Sequence, residues 1–179
     1  MTTRQGSRGR ATALLVIDVQ RGLFHRSTPV RRGDELVATI NALVDRAHAA
    51  GVPVVYVQHS SDKVLPFGSD GWKLDQRLHP GLEDLVIHKE HGDAFRETGL
   101  ADELAGRGVG RVVVTGLVSH GCVRATCLGA FERGFEVLLV SDGHSSYSRD
   151  AEQQAQACNR QVADAGAEVL PARDVSMVS

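Results

Sequence analysis

The sequence predicts an α/β fold: a three-layer αβα sandwich in which an open, mainly parallel, six-stranded sheet carries helices on both faces. Short apolar segments rich in Val, Ile and Leu alternate along the chain with segments whose apolar residues recur at helical spacing. This alternation favours parallel strands joined by right-handed helical crossovers. The 179 residues, 42% of them hydrophobic, fit one domain, since domains commonly run to about 100–200 residues. We assign residues 11–179 to this domain and residues 1–10 to a flexible N-terminal tail.

The first half of the chain supplies three predicted strands and one predicted helix. Residues 13–18 are an apolar run that ends in a carboxylate, as a strand buried on both faces requires. Strands are also predicted over 52–57 and 85–87, separated by a long loop without a clear period, which is typical of functional or mobile segments. A helix is predicted over 33–51, ended by its last glycine. Its apolar face consists of Leu36, Val37, Ile40, Leu43, Val44 and Ala47.

The second half of the chain alternates more regularly between the two kinds of element. Each predicted helix is followed by a β-rich segment, as in successive crossover units. The predicted helices cover residues 98–106, 120–134 and 148–165, and the predicted strands cover 111–116, 136–142 and 167–170.

Composition and charge exclude several classes of function. Twenty basic and twenty-two acidic residues give a net charge of -2, so we expect no nucleic-acid partner. No apolar run approaches the roughly 18 residues that span a bilayer, and the N-terminus lacks an apolar signal-peptide core. Three cysteines, an odd number without repeated spacing, do not form a disulfide framework. We therefore expect a cytoplasmic protein with free thiols and no membrane association.

Polar residues collect where the predicted strands end. Asp18 ends the first strand, His59 follows the second, Lys89 follows the third, Cys122 lies just after the fourth, and Asp142 ends the fifth. Ligands of open parallel sheets bind beyond the carboxyl ends of the strands, near a switch in strand order. We therefore expect a carboxylate, an ammonium group and a thiol to meet at this edge.

The residues taken singly leave their roles open. A cysteine at a helix N-terminus, as predicted for Cys122, has a lowered thiol pKa and is reactive, but many cysteines are simply small buried hydrophobes. That second interpretation is favoured for Cys127 and Cys158, which lie inside helical segments. Asp18 could cap a turn, and Lys89 could be a solvated surface lysine.

At these positions the chain resembles the isochorismatase-like hydrolases, which include nicotinamidases and carbamoylsarcosine amidohydrolases. Residues 14–20, Leu-Leu-Val-Ile-Asp-Val-Gln, resemble the opening strand with its catalytic aspartate. Residues 88–95 resemble the segment that supplies the lysine, and residues 114–126, which include Cys122, resemble the nucleophile segment. The segment ending in Val140-Ser-Asp142 also fits.

The resemblance implies catalytic roles for three side chains and two backbone groups. Asp18 would take the thiol proton of Cys122, and Lys89 would hold the carboxylate and favour the thiolate. The thiolate would attack an amide carbonyl and give a thioester, which water then hydrolyses. The oxyanion hole would consist of the backbone N–H groups of Val118 and Cys122, and a cis peptide bond is expected at Leu117–Val118.

The chain departs from two branches of this family. Nicotinamidases carry an Asp-x-His metal motif after the second strand, whereas residues 58–62 read Gln-His-Ser-Ser-Asp, so we expect neither a metal nor a cofactor. Isochorismatases proper replace the cysteine, so Cys122 favours an amidase that cleaves a C–N bond of a small-molecule amide. A vinyl-ether hydrolase with Asp18 as general acid, a nicotinamidase, and a redox-responsive protein without turnover remain alternatives.

The substrate contacts and the assembly are predicted by position and by resemblance. Aromatic, polar and apolar residues flank the expected pocket, and relatives of this family commonly form symmetric assemblies, so we expect a homo-oligomer. The candidate substrate-binding residues are Phe24, His59, Trp72, Leu117 and His120.

Overall fold

The computed structural model describes residues 10–179, so residues 1–9 of the predicted tail lie outside the described residues. Within the described part, six strands pair in parallel in the order β3-β2-β1-β4-β5-β6. The strands are β1 (Ala11–Ile17), β2 (Val54–His59), β3 (Leu85–Lys89), β4 (Val109–Leu117), β5 (Glu136–Ser145) and β6 (Glu168–Leu170). The helices are α1 (Arg21–Phe24), α2 (Gly33–Ala49), α3 (Leu100–Gly106), α4 (Arg124–Glu132) and α5 (Ala151–Asp164).

Helices cover both faces of the sheet, which confirms the predicted three-layer sandwich. Side chains alternate between the faces with the period of two that a pleated strand imposes. In β1, Leu14 and Val16 pack in the core that also contains α2, whereas Leu15 and Ile17 pack in the core that contains α3, α4 and α5. All six residues of the predicted apolar face of α2 are buried.

The strand order reverses between β1 and β4, which pair with each other at the centre of the sheet. Gly116 is essential to this pairing, because a β-carbon on it would lie 2.0 Å from the carbonyl oxygen of Ile17 and its φ is +119°. Only glycine has neither a β-carbon nor a steric preference against positive φ. The carboxyl ends of β1 and β4 can therefore approach closely.

Two predicted boundaries after β4 are wrong, and both affect the site. The strand predicted to end at Asp142 continues to Ser145, because a register shift between Val114 and Gly116 lets pairing resume with residues further along β5. The helix predicted from residue 120 begins at Arg124 instead, after a wide π-helical turn over Ser119–Val123 that is interrupted by non-helical backbone at Gly121.

Two short elements were not predicted from the sequence: α1 and a 3-10 turn over Ala172–Asp174. Among residues 10–179, no helix combines the length and the apolar character needed to cross a membrane.

Candidate active site

Three side chains from separate parts of the chain meet at the switch in strand order. Asp18 follows β1, Lys89 is the last residue of β3, and Cys122 lies in the wide turn after β4. The Nζ atom of Lys89 is 3.0 Å from Oδ2 of Asp18 and 3.3 Å from Sγ of Cys122. The structure thus brings together the carboxylate, the ammonium group and the thiol that the sequence predicted for this edge.

The ammonium group of Lys89 is enclosed by acceptors. Besides Asp18 and Cys122, it lies 3.1 Å from Nδ1 of His59 and 3.0 Å from the carbonyl oxygen of His91. An ammonium group has three N–H donors and no lone pair, so four neighbours share three protons and Nδ1 of His59 accepts. Burial and the charge of Lys89 lower the pKa of His59, which keeps its imidazole neutral with the proton on Nε2.

Asp18 is held with one carboxylate oxygen uncommitted. Its backbone has φ +52°, a left-handed conformation that aspartate tolerates better than most residues. Oδ2 accepts from Lys89, whereas Oδ1 is buried and has no hydrogen-bond partner among residues 10–179. Burial raises the pKa of Asp18, and the charge of Lys89 opposes this rise. A proton acceptor of raised basicity is therefore available beside Cys122.

The thiol of Cys122 differs from the sequence-based expectation. Burial, together with the negative charge of Asp18, raises its pKa to about 12, although Lys89 acts in the opposite direction. The expected lowering at a helix N-terminus is wrong, because α4 begins only at Arg124 and the half-buried thiol lies beside the carboxylate of Asp18. The resting group is therefore a thiol, and it needs a base before it can attack a substrate.

Asp18, His59 and Cys122 also form the kind of set that could hold a metal. One potential ligand atom of each lies within 4.8 Å of the others. The Nζ atom of Lys89, however, is within hydrogen-bond distance of all three side chains. A protein cation thus fills the space where a metal would have to bind. Asp62, the acidic residue that follows His59 in the segment 58–62, is exposed.

The turn that carries Cys122 begins with an unusual peptide bond. The bond between Leu117 and Val118 is cis, as the resemblance implied. The carbonyl oxygen of Val118 accepts hydrogen bonds from the backbone N–H groups of Gly121 and Val123, at 3.0 and 3.3 Å. The N–H of Cys122 does not donate to this carbonyl oxygen. The N–H groups of Cys122 and Val118 are the predicted oxyanion hole.

Two candidate substrate-binding residues lie away from the cluster. The side chain of Leu117 is fully buried in the core beneath α2, because β4 continues through this position. Phe24 lies under the guanidinium group of Arg77, 4.6 Å from its ring centroid, and lines a separate cavity of about 500 Å³. The structure thus places neither side chain in contact with the cluster of Asp18, Lys89 and Cys122, and their part in substrate binding stays a prediction.

The other three candidates lie in or near the site. His59 contacts Lys89, as described above, and His120 is exposed in the wide turn two residues before Cys122. The indole Nε1 of Trp72 donates to the hydroxyl of Ser60 at 2.9 Å, and its ring packs against Phe67. Trp72 therefore holds the loop between β2 and β3 against Ser60, next to His59. No contact between Trp72 and Cys122 is observed.

Several residues of the site were not predicted from the sequence. Gln20 is fully buried, and its side-chain amide pairs with both the N–H and the carbonyl oxygen of His59 and also donates to the carbonyl oxygen of Trp72. The carbonyl oxygen of His91 accepts from Lys89. A glutamine two residues beyond a buried strand was the one available signal, and nothing in the sequence pointed to a backbone carbonyl.

The fold and the cluster define a doubly wound α/β protein whose ligand site lies at the switch point of a parallel sheet. Comparison with known proteins identifies the family: the model of the isochorismatase domain matches residues 12–174. The chain belongs to the isochorismatase family, and it is thus a member of the isochorismatase-like hydrolases.

Similar proteins include a streptothricin hydrolase from Streptomyces noursei, 36% identical over 137 residues that make up 75% of this chain and 54% of the relative. The chain spans about half the length of the two streptothricin hydrolases it matches. An isochorismatase from Pseudomonas putida KT2440 superimposes with a TM-score of 0.84 at 26% identity, covering 92% of this chain and 90% of the other.

The N-carbamoylsarcosine amidase from Thermoplasma acidophilum shares the fold, with a TM-score of 0.80 at 24% identity over 93% of this chain and 99% of the other.

Proposed function

We propose that this protein hydrolyses a C–N amide-type bond of a small molecule, with Cys122 as nucleophile and a thioester as intermediate. The observation that carries the proposal is the contact of one buried ammonium group, that of Lys89, with both the Asp18 carboxylate and the Cys122 thiol. A nucleophile, a base and a cation that orients the base within hydrogen-bond reach are the requirements of covalent hydrolysis.

Asp18 is the group that moves protons in this reaction. Its free Oδ1 accepts the thiol proton as Sγ of Cys122 attacks the carbonyl carbon, and the carbonyl electron pair moves onto oxygen. Asp18 then protonates the departing nitrogen as the C–N bond breaks, which leaves the thioester. Its raised pKa suits both roles, because a stronger base takes the thiol proton more readily and still returns it to an amine.

The second half of the reaction restores the enzyme. Asp18 takes a proton from a water molecule, whose oxygen attacks the thioester carbonyl. The C–S bond then breaks, the proton returns to Sγ of Cys122, and the carboxylic acid leaves. The backbone N–H groups of Val118 and Cys122 stabilise the negative oxygen of both tetrahedral intermediates, and loss of such a donor costs about 3–4 kcal/mol in other hydrolases.

The thiol pKa of about 12 supports a mechanism in which the thiolate forms during the attack rather than before it. The positive charge of Lys89, which contacts both groups, lowers the energy of the thiolate and of the carboxylate. The proposed reaction requires only groups of this chain and water, so the proposal includes no cofactor. We further expect a homo-oligomer.

The names of two relatives suggest first substrates. One is a streptothricin hydrolase and the other an N-carbamoylsarcosine amidase, and the second name denotes cleavage of a C–N bond. We therefore propose streptothricin, N-carbamoylsarcosine and simple primary amides as the starting panel. Nicotinamide belongs in this panel as the test of the nicotinamidase alternative.

A second candidate function is vinyl-ether hydrolysis with Asp18 as general acid. The raised pKa of Asp18 favours it, because a carboxylic acid that holds its proton to higher pH is a better donor. An isochorismatase is also among the similar structures. In that reaction the Cys122 thiol has no covalent role, so the two functions respond differently to its removal.

The test combines product detection with three variants. Each compound of the panel, and isochorismate, is incubated with the wild-type protein, Cys122→Ala, Asp18→Asn and the control Cys158→Ala, which changes a buried cysteine outside the site. The addition of one water to the substrate is followed by mass spectrometry. Amide hydrolysis that is lost in Cys122→Ala and in Asp18→Asn but kept in the control supports the proposal. Amide hydrolysis that survives in Cys122→Ala contradicts it. Isochorismate cleavage that survives in Cys122→Ala and is lost in Asp18→Asn favours the alternative.

A further inference from the structure

A chain of two hydrogen bonds, one buried and one partly buried, connects the nucleophile turn to β5 and α5. Nδ1 of His144 lies 2.8 Å from the hydroxyl oxygen of Ser119, and its Nε2 lies 2.9 Å from Oδ1 of Asn159. Ser119 is completely buried, and His144 is 5% exposed. None of these three residues contacts Asp18 or Lys89, so they form a second polar cluster behind the site.

The partners of His144 determine the direction of each hydrogen bond. Oδ1 of Asn159 can only accept, so Nε2 of His144 carries the proton. Nδ1 is then an acceptor, and the hydroxyl of Ser119 donates to it. Burial lowers the pKa of His144, which agrees with a neutral ring. The ring is thus committed on both sides, with one donor and one acceptor satisfied.

The position of His144 in the sheet makes it a rigid support. The extension of β5 beyond the register shift pairs His144 with Gly116, the residue that precedes Leu117 in β4. Asn159 lies in α5, a helix of 14 residues whose buried side chains pack in the core that also contains Leu15 and Ile17. Ser119 therefore donates to a side chain held both by a strand that pairs with β4 and by a long helix.

Ser119 lies between the two proposed oxyanion donors. It directly follows Val118 and precedes Cys122 by three residues, in a turn whose backbone conformation is non-helical at Gly121. The side-chain bond of Ser119 adds to the two backbone bonds that Gly121 and Val123 donate to the carbonyl oxygen of Val118 within this turn. Misplacement of reacting groups by about 1 Å can lower a rate by about 100-fold.

We propose that His144 is a positioning residue, which through the hydroxyl of Ser119 fixes the turn that carries Cys122 and the oxyanion hole. This inference rests on the proposed function for its effect on turnover, but the hydrogen-bond relay itself does not. The side chain of His144 touches neither the nucleophile nor its base, so its effect on rate comes from the geometry of the turn.

Two substitutions separate the halves of the relay. In His144→Asn the amide oxygen takes the place of Nδ1, so the acceptor for Ser119 is kept and the contact with Asn159 is lost. In His144→Gln the amide nitrogen takes the place of Nε2, so the contact with Asn159 is kept and the acceptor for Ser119 is lost. His144→Gln leaves the fully buried hydroxyl of Ser119 unpaired, whereas His144→Asn leaves the half-buried amide of Asn159 unpaired, so we expect the larger loss of stability in His144→Gln. Ser119→Ala, which leaves the ring in place, is the third variant.

The first readout is hydrogen exchange of the backbone amides in residues 118–123, followed by mass spectrometry. We expect at least about 10-fold faster exchange in His144→Gln and Ser119→Ala than in the wild type, and a rate within about 3-fold of the wild type in His144→Asn. The second readout is turnover of an amide that the wild type hydrolyses. We expect kcat to fall by about 10- to 100-fold in His144→Gln and Ser119→Ala, with KM within about 3-fold.

The results that contradict the inference are distinct from failure of the proposed function. Equal exchange in the two His144 variants overturns the relay, whether or not the protein hydrolyses amides. Different exchange with equal kcat overturns the role of His144 in positioning the catalytic groups. If the wild type hydrolyses no amide, the proposed function fails and so does the role in turnover, while exchange alone decides whether the relay exists.

Discussion

Lys89→Met removes the cation that four acceptors share while keeping a flexible side chain of similar length. Asp18 and Lys89 are each 2% exposed, so the carboxylate of Asp18 is left buried without its partner. Breaking a buried ion pair in this way costs about 3–5 kcal/mol. With urea slopes of about 1–3 kcal/mol per M, the midpoint of unfolding should fall by at least about 1 M.

The pH dependence of this loss follows from the pKa of Asp18. Burial already raises that pKa, and removal of the opposing charge of Lys89 raises it further in the variant. A carboxyl group whose pKa is higher in the folded than in the unfolded state favours folding at low pH, and this contribution is lost as the pH rises through the folded pKa. The destabilisation caused by Lys89→Met should therefore be smaller at pH 5 than at pH 8.

Lys73→Met is the matched control, because Lys73 lies 3.3 Å from Asp70 in an exposed ion pair whose side chains are 54% and 73% accessible. Exposed pairs contribute about 0–1 kcal/mol, so this variant should unfold close to the wild type at both pH values. The assay is urea unfolding followed by circular dichroism. Equal losses in Lys89→Met and Lys73→Met, without a pH dependence, would refute the reasoning about the buried pair.

Three further predictions concern the switch point and the thiol. Gly116→Ala should destabilise the fold by at least about 3 kcal/mol in urea unfolding, because the new β-carbon meets the backbone of Ile17. The control Gly106→Ala, with open space around the glycine, should be neutral or stabilising by up to about 1 kcal/mol. Alkylation of Cys122 by iodoacetamide should accelerate mainly above pH 10. Asp18→Asn should move this rise to lower pH, because it removes the charge that raises the thiol pKa. An unchanged dependence of the alkylation rate on pH would contradict that charge effect. The kcat/KM of amide hydrolysis should fall on acidification as Asp18 takes up a proton, at a pH above the value of 3.8 usual for aspartate, and a profile flat down to pH 4 would contradict a basic role for Asp18.

Much of the fold could be predicted from the sequence because burial follows the period of each element. The six apolar residues of α2 are spaced for one helical face, and all six are buried. The boundaries after β4 could not be predicted in this way. The extension of β5 to Ser145 depends on a register shift against β4, and such a shift is a property of the pair of strands rather than of either segment.

The meeting of Asp18, Lys89 and Cys122 could also be predicted, since parallel strands place their carboxyl ends at one edge. The environment of each group could not. The pKa of Cys122 depends on how deeply the turn buries the thiol and on its distance from Asp18, and neither is encoded in local spacing. The position of Leu117 near Cys122 predicts a pocket residue, but β4 continues to Leu117 and buries its side chain in the core beneath α2.

The central claim is that Cys122 becomes acylated during turnover, and trapping the intermediate tests it most directly. The wild-type protein is mixed with an amide that it hydrolyses, quenched in acid within one turnover, digested and analysed by mass spectrometry. We predict an added mass equal to the acyl group of the substrate on the peptide that contains Cys122, absent from Cys127 and Cys158 and from Asp18→Asn. Single-turnover product formation without an acylated Cys122 at any quench time, together with full activity in Cys122→Ala, would contradict it.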